Sequence, residues 1–210
     1  LMRQLDDELH LGNAEPTVIG GRTYPYDPFN DFLEIWELDV NFDTSSFSLQ
    51  ELDRIPVAEF DSELCSATPL SCLPQPIQPD GTIPPALDAV AEPIMHRLQY
   101  RNFGSYETLV GNFTFDTNRR DHASIRWFEL RKNRGGEWRL YQEGNVMPDS
   151  DHRFMGSIAM DRHGNIALGY AITSQYVSPS IRYVGRRASD PLGTMSQGEF
   201  TIADGIGAQN

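Results

Sequence analysis

Two short phrases of this chain occur twice at one spacing, and that repetition constrains the fold more than any other feature. His96-Arg97-Leu98 returns as His152-Arg153-Phe154, and Ser124-Ile125-Arg126-Trp127 returns as Ser180-Ile181-Arg182-Tyr183, each 56 residues after its first copy. Around these phrases hydrophobic residues alternate with a period of two, the period of a half-buried strand. The alternation predicts strands over 96–101, 107–115, 123–131 and 137–143 in the first unit, and over 153–160, 165–173, 179–186 and 195–202 in the second. Turn chemistry agrees. Arg134-Gly135-Gly136 and Asp161-Arg162-His163-Gly164-Asn165 separate the runs, with Gly supplying the positive φ of a tight hairpin. An earlier pair, Leu33–Leu38 followed by Phe47–Glu51, has the same character as Ile125–Leu130 followed by Trp138–Gln142 and reads as a β-hairpin. Four short strands recurring every ~40–60 residues are the pattern of β-propeller blades, each of which buries its faces only against neighbours.

Helix signals are nearly absent; the best stretch, Leu87–Leu98, is crossed by Pro93. The expected fold class is therefore all-β: a β-propeller fragment of two to three four-stranded blades with a long Pro-rich disulfide loop. Residues 1–210 read as one propeller-like domain, truncated, with a partial blade over 1–60, a Cys-containing loop over 61–93, and blades over 94–147 and 148–204. The loop carries seven prolines from Pro69 to Pro93, a density that excludes helix and central strand. It also holds the only two cysteines, Cys65 and Cys72. At that spacing in a turn-rich segment a disulfide is the favoured expectation over two free thiols, and it places the chain in an oxidising compartment. The start at Leu1 and the Gly-rich stretch 205–210 read as cut ends of a longer polypeptide. Blade faces left bare by that cut would make the chain self-associate.

Charge narrows the partners. Against 30 acidic residues there are 17 basic ones, a net charge of −13. Nucleic acid and anionic membrane surfaces require a cationic face and are excluded as main partners. No apolar run is long enough to span a bilayer as a helix. A G-x-S-x-G elbow, H-E-x-x-H and a P-loop are all missing, Gly205-Ile206-Gly207 lacks the third Gly of a dinucleotide fingerprint, and no Cys/His cluster has zinc spacing. Asn112-Phe113-Thr114 matches a glycosylation sequon but reads as ordinary strand.

The polar residues that open the innermost strands are the ligand-binding candidates: His96, Arg97, Arg101, Asp151, His152 and Arg153. Residues there point toward a central channel, where propellers bind ligands. Repetition argues the other way, because a residue that recurs in every unit usually serves the same structural job in each. Arg126 and Arg182 recur in this sense and are expected to pair with an acid between blades. Two loops offer hard oxygen ligands for calcium, Asp149-Ser150-Asp151 and Asp116/Asn118/Asp121. Solvated Asp-rich turns are the preferred reading of both, so no cofactor is assigned and Asp149 and Asp151 stand as calcium candidates. Trp36, Trp127, Trp138, Tyr141 and Tyr170 read mostly as core, with a few available to stack on sugar rings.

Several segments together resemble a family of large secreted bacterial proteins of uncharacterised function to which a β-propeller is ascribed. They are Ile55–Phe60, the Cys65/Cys72 loop with Leu73–Pro76, His96–Gly104, Ile125–Arg131, Pro148–Asp161, Gly164–Tyr170, Pro179–Tyr183 and Ala188–Gly193. The resemblance runs from about Phe32 to Phe200 and implies export, a propeller, and further blades before and after this stretch. It implies no reaction. The leading functional expectation is a secreted or cell-surface module, not an enzyme, that recognises extracellular glycan or protein. The alternative is a glycoside hydrolase with a sialidase-like propeller. It would draw a carboxylate pair from Asp149, Asp151, Glu107 and Asp161. The sialidase turn, Ser-x-Asp-x-Gly-x-Thr-x-x-Trp, differs from Asp161–Gly164 in spacing and in its Trp, which counts against that alternative.

Overall fold

A computed structural model describes residues 2–5, 18–19, 22–23, 31–65, 71–91, 93–95, 97–118 and 120–209. Among these there are fifteen strands and no helix. The strands are β1 (Met2–Leu5), β2 (Val18–Ile19), β3 (Arg22–Thr23), β4 (Asp31–Asn41), β5 (Ser46–Val57), β6 (Ser71–Leu73), β7 (Leu87–Asp88) and β8 (Gln99–Asn102). They continue with β9 (Tyr106–Asp116), β10 (Ala123–Asn133), β11 (Arg139–Val146), β12 (His152–Met160), β13 (Ile166–Thr173), β14 (Ser180–Arg186) and β15 (Glu199–Ala203). Every pairing is antiparallel.

Three sheets carry the architecture, with orders β1-β4-β5, β8-β9-β10-β11 and β12-β13-β14-β15; β2-β3 and β6-β7 are two-stranded ribbons. Both four-stranded sheets are meanders in which each strand pairs with the next. The repeat is structural as well as sequential: Ile125–Trp127 lies on the third strand of its meander, and Ile181–Tyr183 on the third strand of the next.

The middle sheet is buried on both faces, and its sequence shows why. Along β9 and β10 successive side chains point to opposite faces. Leu109, Phe113, Phe115, Phe128 and Leu130 pack against Leu33, Ile35, Ile55, Val57 and Phe60 of the first sheet and the chain that follows it. Val110, Ile125 and Trp127 pack against Ile158, Met160, Leu168, Tyr170 and Val184 of the last sheet. Two side chains of β8 tie these layers together. Gln99 accepts a hydrogen bond from the Met160 amide, and Arg101 Nε donates to the Met160 carbonyl at 3.1 Å. Asn112 of the sequon is fully buried between the sheets, where no glycan attaches to the folded chain.

The last sheet has one covered face and one bare face. Ile181 and Tyr183 on β14 are 47% and 39% exposed, and Tyr183 stacks on the equally open Phe200 of β15 at 5.5 Å. Their repeat equivalents, Ile125 and Trp127, are both 0% exposed under the last sheet. One repeat position is thus core in the first unit and surface in the second.

The described residues of 61–98 are irregular apart from β6 and β7. Cys65 and Cys72 form the expected disulfide, with Cα atoms 5.3 Å apart. It closes a small third core in which Leu64, Cys65, Leu73, Ala89 and Ala91 meet Ala123 and Phe154. The Cys65 amide donates to Asp121 Oδ1 at 2.7 Å, which fastens the loop to the turn before β10. Replacing both cysteines by serine is expected to cost about 2.5 kcal/mol, the loop entropy of so short a ring. An unfolding free energy from urea melts that falls by that amount, and a wild type that loses the same under reductant, checks it. Among the described residues no helix is long and apolar enough to cross a membrane.

Candidate functional site

The residues singled out by their place in the repeat have separate structural employments. Arg153 is fully buried, and all five of its guanidinium hydrogens are spent. Nε and Nη2 donate to Glu199 at 2.8 and 3.1 Å, Nη1 and Nη2 donate to Asp149 at 2.8 and 3.0 Å, and Nη1 also donates to the Asp151 carbonyl at 2.9 Å. Burial opposes its charge, but the bonds to Asp149 and Glu199 outweigh burial and raise its proton affinity. Nothing is left for a ligand. Asp149 is likewise committed, and the Arg153 hydrogen bonds hold its carboxyl below the usual range. Of the two calcium candidates, Asp149 spends both carboxylate oxygens on Arg153, and Asp151 gives Arg153 its backbone carbonyl. Among the described residues no three His, Cys, Asp or Glu side chains assemble as a metal site. Asp116 in the other Asp-rich loop accepts from the amides of Asn118, Asp121 and His122. Arg101 is bound to Met160, Arg97 is exposed, and His96 lies outside the described residues.

Arg182 corrects the expectation of an acid between blades, and Arg126 meets it in part. Arg126 Nη1 reaches Glu143 at 3.7 Å, and Arg182 Nη2 reaches Asp204 at 2.8 Å. Glu143 is on β11 and Asp204 follows β15, so both pairs lie within one sheet, but Asp31 at the start of β4, in the first sheet, also favours the charge of Arg126. Arg126 also donates to the Ala58 carbonyl and lies 5.0 Å over the Phe115 ring. Burial lowers its proton affinity.

His152 is half-buried, 5.1 Å from the His122 ring, and its Nδ1 accepts from the Ala123 amide. Burial first, then the charge of His122, push its pKa from 6.5 down to about 4, against the opposite pull of Asp151 and Asp116. Between those values the unfolded chain takes up a proton that the folded chain refuses. The stabilisation is whole above pH 6.5 and is lost as pH falls toward 4. The loss is expected to be about 2 kcal/mol after solvent screening of a half-buried ring. Urea melts at pH 7.5 and 4.5 should differ by that amount in the wild type and by much less in His152→Asn.

The group that is held in place yet left open lies elsewhere, at the end of the middle sheet. Arg131, near the end of β10, is sandwiched between two rings, with its guanidinium carbon 3.3 Å from the centre of Tyr141 and 4.7 Å from that of Tyr106. Fully buried Glu129 accepts from Arg131 Nε at 2.6 Å and from Gln142 Nε2. Gln142 in turn accepts from the Gly193 amide at 3.1 Å. One edge of the guanidinium is anchored and both faces are stacked. Nη1 and Nη2 have no hydrogen-bond partner among the described residues, and the side chain is 29% exposed. They open on a cleft of about 530 Å³ lined by Tyr106, Arg131, Asn133, Gly136, Arg139 and Tyr141, among others. A smaller hollow of about 270 Å³ adjoins it across Tyr106 and includes Asn102 and Arg134. Phe103 extends the aromatic wall by stacking on Tyr106 at 4.8 Å.

Local folding explains the assembly. Pairing of β9 with β10 sets Tyr106 opposite Asn133, on the same face as Arg131 one pleat away. The β10–β11 register shifts between Glu129 and Leu130, which face Gln142 and Leu140, so Tyr141 is the extra residue of a β-bulge. Bulges re-aim side chains, and this one stands Tyr141 against Arg131. The turn beyond, with Gly135 at φ 71°, sets the cleft's outer wall. The cleft belongs to one unit alone. The corresponding turns of the second unit, 161–165 and 187–198, contain no Phe, Tyr or Trp.

Compared with family models, curated proteins and solved structures, the chain matches none.

Proposed function

We propose that this chain is an extracellular binding module whose two four-stranded meanders are consecutive blades of a β-propeller, and that it recognises a glycan at the Tyr106–Arg131–Tyr141 cleft. The observation that carries the binding reading is the Arg131 sandwich: a guanidinium fixed at Nε, stacked on both faces and unspent at Nη1 and Nη2. Rigid aromatic faces beside directional donors are what a sugar ring needs, an apolar face to stack on and hydroxyls to bond. The blade reading draws support from the repeat. The face of the second meander that is bare is equivalent to the face of the first that the second covers. It also gives that bare face an affinity for another sheet, hence self-association. Export draws support from the disulfide.

A hydrolase would hold one carboxyl in protonated form as its acid. Among the described residues, the four carboxyls whose proton affinity is displaced, Asp80, Asp149, Asp161 and Asp190, are all displaced downward. Asp161 is held to about 2 chiefly by Asn165, closing its own turn. These shifts lend no support to a hydrolytic acid, and the reading kept is recognition.

Titration calorimetry against a panel of oligosaccharides tests it. Tyr141→Ala is expected to weaken binding at least about tenfold, and Tyr141→Phe to leave it intact, because the ring supplies the stacking face. No binding to any member, or equal binding by Tyr141→Ala, refutes it.

A further inference from the structure

We propose that the Arg131 cleft selects an acidic saccharide and grips one carboxylate or sulfate end-on through Nη1 and Nη2. This rests on the cleft being the glycan site and adds the chemistry of its ligand.

Three observations lead there. The first is geometry. A guanidinium presents its parallel N–H pairs along its edges, and these match two oxygens of one oxyanion. Of the edges of Arg131, the one containing Nε is turned to Glu129, and the Nη1/Nη2 edge is the one left to the cleft. The faces are closed by Tyr106 and Tyr141, so a ligand meets the guanidinium from its edge. A neutral hydroxyl accepts one such hydrogen bond where an oxyanion accepts two.

The second is preorganisation. Arg131 is locked by stacking and by Glu129, which is itself held by Gln142. Little side-chain freedom remains to be lost on binding. Contrast Arg153, whose five hydrogens are already taken.

The third is charge. In a chain of net charge −13, four of the 17 basic residues, Arg131, Lys132, Arg134 and Arg139, fall within nine positions, and Lys132 is the only lysine. Arg139 is offset by Glu137, 3.7 Å away, and both are highly exposed. Arg131 is offset by Glu129, but Lys132 and Arg134 have no acid within ion-pair distance among the described residues, Lys132 lying instead over the Trp138 ring. Lys132 stands on the other face of the sheet and Arg134 lines the adjoining hollow, while the cleft itself holds Arg131, Arg139 and Glu137. The cluster therefore lifts the local potential above that of the rest of an anionic chain, and selection falls to the Arg131 edge.

The probes are a galacturonic acid tetramer, a sulfated galactose oligomer of the κ-carrageenan type, and an uncharged galactose tetramer, titrated into the whole chain by calorimetry at fixed ionic strength. At least one charged probe is expected to bind ten times or more tightly than the neutral one, and which of the two binds identifies the oxyanion. Arg131→Lys keeps the charge opposite Glu129 and loses the fork. It is expected to lower affinity for the charged probe to that for the neutral one while thermal melting stays close to wild type. Lys132→Gln, which removes a neighbouring charge on the other face of the sheet, is expected to change affinity less than threefold. Equal affinity for neutral and charged tetramers overturns this proposal and leaves the glycan reading standing. So does a Lys132→Gln loss as large as that of Arg131→Lys, since diffuse attraction would then explain everything. Binding of none of the three probes removes both.

Discussion

Trp127→Ala is expected to lower stability by about 4 kcal/mol, whereas Tyr183→Ala, the same change at the equivalent repeat position, is expected to lower it by less than about 1 kcal/mol. Trp127 is the largest of the fully buried side chains and sits between the two meanders among Ile125, Val146 and Leu168. Its truncation removes most of an aromatic side chain and leaves a cavity that strands on both sides cannot close, because their hydrogen-bond ladders hold them apart. Tyr183 lies on the bare face, and its principal contact is the stacked ring of Phe200. Losing one exposed cross-strand pair costs a fraction of a buried ring. Urea melts of the two variants measure the contrast directly. The contrast is that of the monomer at low concentration; where the bare face self-associates, the cost of Tyr183→Ala is expected to rise toward that of Trp127→Ala.

Arg153→Ala is the second large effect, expected to cost about 3 kcal/mol. Removing one member of a buried ion network strands the others, and costs of roughly 3–5 kcal/mol are usual. The lower end applies because Asp149 and Glu199 are 51% and 21% exposed and regain water once the guanidinium is gone. Tyr170, whose hydroxyl donates to Glu199, keeps that bond and limits the loss further. Arg153→Lys does not rescue, since a single ammonium cannot serve two carboxylates in the plane of a fork. The variant that remains folded is expected to bind saccharide as the wild type does. That outcome separates architecture from recognition, and a loss of binding with unchanged stability would place the ligand at Arg153 instead.

The strands were legible in the sequence because each depends on alternation and turn residues that are close together in the chain. The third strand of each meander coincides with the repeated phrase, and the turns at Gly135 and Gly164 adopt the expected positive φ. The disulfide was legible for the same reason, being a local ring. The candidate site was not. Tyr106 and Arg131 meet only through the register of β9 on β10, and Tyr141 joins them through a bulge that moves it out of alternation. Periodicity counts Tyr141 as an ordinary strand residue. Arg131 itself ends the phrase Ile125–Arg131, where its repeat equivalent is Arg187, so nothing in the phrase marks it as distinct. One signal was readable, Phe103 and Tyr106 around the first turn of the first unit, which Asp161–Asn165 of the second does not repeat. Of the residues that repetition did bring forward, Arg153 and Arg182 have partners along their own sheet or in their own loop, and Arg126 divides its partners between its own sheet and the first one, as structural tasks require.

Chemical-shift mapping by NMR, with the charged tetramer added to isotope-labelled protein, tests the central claim most directly. The amides of Tyr106, Asn133, Gly136 and Tyr141 and the Nε–H of Arg131 should shift together and saturate at one affinity, with residues 149–153 silent. Saturable shifts at Asp151, His152 and Arg153 with a silent cleft would contradict it.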